Sequence, residues 1–338
     1  MHTEDIDKAT EETPEPKNAK PGPPPLGPDE VEVPLIGMRL KRDMVPWLLA
    51  GAGTLLLLGW FFLSSLPAIW FDEEGYYSHG LLIPFMAIAV IYGRREKIAR
   101  EQAGTSTWGF IIMSVGLAGL LASKIINNLS LAGFFFIAAV VGGIFFAFGR
   151  NIAKHMVGPA LFLIFMMPVL GWAIDSWTNP LQLTSTKIAN KMLNVAGYET
   201  DMSPAQPTVI HMNNYPLNVG GPCSGFKLIL SLVAFTSFFA MIADMGWKKN
   251  VILFALSLPL ALFINGLRIM LIGAVGESQS TDTPILTPFA GWLRHYGPDA
   301  GMVFHDYSGY LTLLVCFVIL HYIVRALEGK KKPNEVTS

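Results

Sequence analysis

The chain is a succession of apolar stretches, each about 17 to 25 residues long and separated by short polar connections. That length crosses a bilayer as a helix, and no other feature constrains the fold as tightly. Of the 338 residues, 52% are hydrophobic and only 14% charged, where a soluble domain carries about 25% charged residues. The expected fold class is therefore an all-α polytopic membrane protein. A formal net charge of −1 gives no bulk attraction toward nucleic acid, and no nucleic-acid partner is expected.

Eight spans are expected, at 45–66, 79–93, 107–123, 130–149, 155–175, 224–243, 250–274 and 305–325. Residues 1–44 are polar and rich in Pro, Glu and Lys, a composition that reads as a disordered cytoplasmic tail. The first apolar run then acts as a signal-anchor. Residues 45–327 form the membrane domain and 328–338 a basic cytoplasmic tail.

Basic residues set the orientation. With the N-terminus inside, the inner segments carry Arg39, Lys41, Arg42, Arg94, Arg95, Lys97, Arg100, Arg150, Lys154, Lys248, Lys249, Arg325, Lys330, Lys331 and Lys332. The outer loops carry only Lys124, Lys187, Lys191 and Arg294. The bias alternates loop by loop, and removing one span would reverse every later loop.

That orientation brings three residues to one depth. Cys223, in Gly221-Pro222-Cys223-Ser224-Gly225-Phe226, begins span six at the outer face, and His305 begins span eight there. Arg268 lies along span seven, which enters from inside, and about 27 Å of helical rise brings it close to the outer boundary of a core about 30 Å thick. The outer loop before Cys223 has two expected parts. Asn179-Pro180 reads as a cap and first helical position, opening an amphipathic helix with Leu181, Thr184, Ile188, Met192 and Val195 on one stripe. Next, 208–212 and 215–219 flank Asn213-Asn214 as a small hairpin, with Pro216 at an edge or irregular position. The result is about eight transmembrane helices with a small extracytoplasmic helix and hairpin insertion before span six.

The chemistry follows from residue types. A thiol attacks a carbonyl as thiolate and needs activation. A helix N-terminus favours the anion at Cys223, and His305 is placed to take a proton and return it to a leaving amine. A guanidinium in a span is costly and normally functional, so Arg268 is the expected partner for a developing oxyanion. Asn265 shares its helical face and adds a donor. Lys227, one turn past Cys223, is expected to snorkel outward. Cys316 lies deeper in the last span as a small buried hydrophobe. The first outer loop, Trp70 to Gly80, is acidic and aromatic, and includes Tyr77, Ser78 and His79. The outer histidines His79, His211, His295 and His305 show no metal-ligand spacing. Neither a metal nor a cofactor is expected. These residues point to a membrane-embedded cysteine transpeptidase or peptidase.

Tyr77-Ser78-His79-Gly80 after the first span, Cys223-Ser224-Gly225, Asn265 through Arg268, and His305 together resemble the exosortase/archaeosortase family over about residues 45–325. The resemblance implies a multi-pass inner-membrane enzyme acting on exported proteins, often alongside exopolysaccharide production. Its partners would carry a C-terminal signal: a Pro-Glu-Pro-type motif, a transmembrane helix and a basic tail. The implied catalytic set is Cys223, Arg268 and His305. Asn265, Ser224, Tyr77, Ser78 and His79 are read as supporting or substrate-binding residues. Two alternatives remain at this point. One is an endopeptidase without transfer. The other is a polysaccharide export or assembly protein that uses Arg268 as a binding charge and leaves Cys223 incidental.

Overall fold

The computed structural model describes residues 28–33, 37–72, 75–169, 171–243, 245–278 and 300–328; the side chains of Met38, Trp172, Pro222 and 300–306 lie outside that description. Arg294, His295, Lys330, Lys331, Lys332 and the side chain of His305 are therefore not described, nor are Glu73 and Glu74.

The apolar runs form helices because a helix satisfies its backbone internally where water is absent. In chain order these are α1 (Val45–Leu63), α2 (Leu66–Trp70), α3 (Leu82–Gly93), α4 (Arg95–Ala99), α5 (Thr107–Ile125) and α6 (Leu129–Phe162). They continue with α7 (Gly171–Val195), α8 (Phe226–Ile242), α9 (Trp247–Glu277) and α10 (Ala300–Glu328). Among the described residues, five helical stretches are long and apolar enough to cross a membrane, and Leu82–Gly93 and Phe226–Ile242 are shorter apolar helices. The chain is a helical, multi-pass membrane protein.

One of the five long stretches reverses direction. In α6, Gly149 adopts φ 69, ψ −179, outside any helix. A straight helix would carry residue 162 about 44 Å from residue 133. Instead Phe162 packs in one cluster with Ala132, Phe136 and Ile137, and a side chain on Gly133 would stand 2.8 Å from Val169. The positive φ, which glycine tolerates without strain, thus turns α6 into a hairpin of two antiparallel halves, where spans at 130–149 and 155–175 were expected. The second half stops at Phe162 rather than running to 175. A 3-10 turn, Leu163–Met166, follows, and then Pro168, which cannot continue a helix. Small residues let α5 lie against the first half backbone to backbone: side chains at Gly116 and Gly142 would meet Ala139 N at 2.4 Å and Met113 N at 2.3 Å.

Three other expectations shift. Asn179-Pro180 does not open a helix; α7 begins at Gly171 and passes through Pro180. Its most deeply buried residues are Ser185, Thr186, Ala189 and Leu193, while Val195 of the expected stripe is exposed. Part of the polar stretch before α1 is folded. Strands β1 (Glu30–Val33) and β2 (Met38–Lys41) pair antiparallel, and Leu40 packs with Ile98 and Ile152. Its alternating apolar residues supply the buried face that its overall polarity hid. Finally, α10 starts at Ala300, so His305 lies in its second turn rather than at its start.

The hairpin before α8 forms as expected, from β3 (Val209–His211) and β4 (Pro216–Asn218). Pro216 sits opposite His211, whose own N–H and C=O exchange 2.9 Å hydrogen bonds with Asp201 on the other side. The missing proline N–H therefore breaks no pair.

Candidate active site

Cys223 does not begin α8. It lies in a 3-10 turn, Gly221–Ser224, and α8 starts at Phe226 after Gly225 at φ 88. The left-handed step at Gly225 separates the cysteine from the first helical turn, so the dipole of α8 acts on it from farther away than the sequence suggested. The turn is instead fixed through its peptide groups. Cys223 N donates to Gly220 O at 3.0 Å, and Cys223 O accepts from Asn265 Nδ2 at 3.0 Å.

Asn265 is the hub of this arrangement. Its amide also donates to Ser185 Oγ at 3.0 Å, and Ser185 Oγ donates to Ser224 O at 2.9 Å. One polar chain thus ties α7, α9 and the cysteine turn together. Asn265 is 1% exposed, and Ser185 and Ser224 are fully covered. In such a setting a polar network contributes only when its members are satisfied. The turn reaches this depth because Gly225 has no side chain; one there would stand 2.9 Å from Asn265 Nδ2. Ser224 also caps the start of α8, its Oγ accepting from Phe226 N at 3.3 Å.

Cys223 is 7% exposed and packs with Leu193, Leu217, Val219 and Ile269. The helix–hairpin insertion therefore forms the wall of the cysteine site. Two further contacts seat that wall. Gln182 Nε2 donates to Val219 O. At the far end of α9 the buried Glu277 carboxylate accepts from Asn214 N at 3.1 Å and from Asn214 Nδ2 at 2.8 Å, gripping the hairpin tip.

Arg268 follows Asn265 by one turn of α9. Its Nε donates to Ser308 Oγ at 3.0 Å, which reaches across to α10. His305 precedes Ser308 by one turn of the same helix, and its side chain lies outside the described residues. Lys227 is half-buried, within electrostatic reach of Arg268 and Asp72.

The segment between α2 and α3 supplies a different set. Tyr77 and His79 are buried and stack with ring centroids 6.4 Å apart; Ser78 is half-buried beside them. His79 Nδ1 lies 2.9 Å from Ser231 Oγ on α8, two turns beyond Cys223. Trp70 Nε1 donates to Met166 O at 2.8 Å, and its ring fills the space a side chain at Gly80 would need, 2.3 Å away. Cys316 is fully buried in α10 among apolar residues of α8 and α9.

Sequence reading missed Ser185, Ser308 and Glu277. A serine on an amphipathic helix looks like a solvated residue, and a glutamate at a helix end looks like an exposed one. The only available signal was the three-residue spacing of His305 and Ser308, which places both on one face.

A family model described as transmembrane exosortase matches residues 70–322, three quarters of the chain, including every residue of the arrangement above. No curated protein and no solved structure matches.

Proposed function

The chain belongs to the transmembrane exosortase family, and from that premise we propose that it is a cysteine transpeptidase or peptidase that processes exported proteins at a C-terminal sorting signal. The observation that best supports this is convergence. The cysteine turn, α9 and α10 meet through Asn265 on Cys223 O and Arg268 on Ser308, one turn from His305.

The proposed orientation has eight spans, both termini in the cytoplasm, and Cys223 at the periplasmic face of the inner membrane. A substrate's C-terminal helix docks beside the bundle and presents a Pro-Glu-Pro-type motif at the outer interface. His305 takes the proton of the Cys223 thiol, and the resulting thiolate attacks the scissile carbonyl. The S–C bond forms and the carbonyl electron pair moves to oxygen, where Arg268 opposes the charge. Collapse of the intermediate breaks the C–N bond, and His305 protonates the leaving amine. The thioester is then attacked by an amine or by water, which gives its proton to His305 as the Cys223 thiolate leaves.

The test is a processing assay in membranes. A tagged substrate is co-expressed with wild type or Cys223→Ala, and the new C-terminus is read by mass spectrometry. Processing is expected to stop in Cys223→Ala while the variant remains inserted. An added mass on the product indicates transfer, and its absence indicates hydrolysis. Normal processing by Cys223→Ala of a substrate processed in the native host would end the proposal.

A further inference from the structure

The first outer loop reaches the cysteine turn at Tyr76. The Tyr76 ring meets Phe226 edge-on, with centroids 5.7 Å apart and planes at 85°. Its hydroxyl would stand 3.9 Å from a side chain at Gly221. Phe226 follows Cys223 by three residues and Gly221 precedes it by two, so Tyr76 straddles the turn that carries the thiol. Behind Tyr76 the loop is held in two ways. Trp70 and Gly80 close its base, with the indole bonded to Met166 O. His79, 2% exposed, fixes it to α8 through Ser231 Oγ, which also donates to Lys227 O at 2.8 Å.

We infer that Tyr76 is the cover of the Cys223 turn that a substrate must contact or displace, and that His79 is the positioning residue that holds Tyr76 there through Ser231. The inference rests on the cysteine reading of this site, deepens it by naming the residue over the turn, and is tested without substrate. An edge-on aromatic contact is modest in strength, enough to keep the ring in place and weak enough to yield to a peptide.

The chain has two cysteines, so Cys316→Ala leaves Cys223 as the sole thiol. In that background, in native membranes, the rate of Cys223 alkylation by iodoacetamide is measured. Tyr76→Ala is expected to raise the rate roughly two- to tenfold, the range set by one aromatic contact. Tyr76→Phe keeps the ring and stays near the parent rate. His79→Ala and Ser231→Ala raise it as well, while His79→Asn, whose amide reproduces the Nδ1 position, restores it. Adding His79→Ala to Tyr76→Ala produces no further rise, because the two act through one contact. A parent-like rate in a folded Tyr76→Ala, or effects of His79 and Tyr76 that multiply, would overturn the inference. So would rate increases that track a lowered unfolding midpoint in every variant. Alkylation reads the cover alone, and the processing assay reads the enzyme, so failure of one is distinguishable from failure of the other.

Discussion

Gly225→Ala tests whether the cysteine turn is held by its fit against Asn265. Two costs are separable. Gly225 sits at φ 88, a left-handed conformation that costs a residue with a side chain about 1–2 kcal/mol. The new methyl would also stand 2.9 Å from Asn265 Nδ2 and 3.1 Å from its Cγ, so the amide must move. That movement disturbs the bonds to Cys223 O and Ser185 Oγ, both 3.0 Å. Interhelical polar contacts in membrane proteins average about 0.6 kcal/mol and reach about 1.7. Together these terms predict a loss of about 2–5 kcal/mol. In an Asn265→Ala background the collision is absent and only strain remains, so the same change then costs about 1–2 kcal/mol. The assay is an SDS unfolding titration in mixed micelles, read by thiol labelling of the two buried cysteines. Sub-additivity of about 1–3 kcal/mol is expected between the two substitutions. Additivity within about 0.5 kcal/mol would refute the reasoning.

Two further changes probe the wall of the site. Glu277→Leu removes the acceptor of three contacts from Asn214; a loss of about 1.5–3 kcal/mol is expected, with faster limited proteolysis at Asn213-Asn214, and Glu277→Gln should show a smaller effect on both. Gly266→Ala drives a methyl to 2.4 Å from Ile188 Cγ2 and should cost about 1–3 kcal/mol by overpacking α7 on α9. Ile188→Ala should recover much of that in the same unfolding titration; no recovery would show that the two helices meet elsewhere.

What the sequence disclosed and what it hid have physical causes. Helical spans were legible because a bilayer imposes both a length and a composition. The reversal in α6 was legible through Arg150 and Lys154, although its agent, Gly149, is one of 32 glycines and carries no local mark. The hairpin was legible because Asn213-Asn214 separates two short β-like runs, and Pro216, expected at an edge or irregular position, opens the edge strand β4. Asn265 stood out because it lies three residues before Arg268 on the same helical face. Its partner Ser185 did not, because which face of α7 is covered depends on where α9 lies, and helix packing order is not written in any single helix. The N-terminal strands were missed because mean polarity outweighed the alternation of Val31, Val33, Met38 and Leu40. Cys223 was placed one structural step too late, at a helix start rather than in the turn before it, since only the conformation of Gly225 divides the two.

Cys223 is held through its peptide groups, N–H to Gly220 and C=O from Asn265. Architecture and reactivity are therefore separately heritable at this position. A lineage can exchange the side chain, for serine or for alanine, and inherit the same backbone frame with a weaker nucleophile or none. Under the proposed function, a chain of that kind would keep the fold of the site and lose the cutting step.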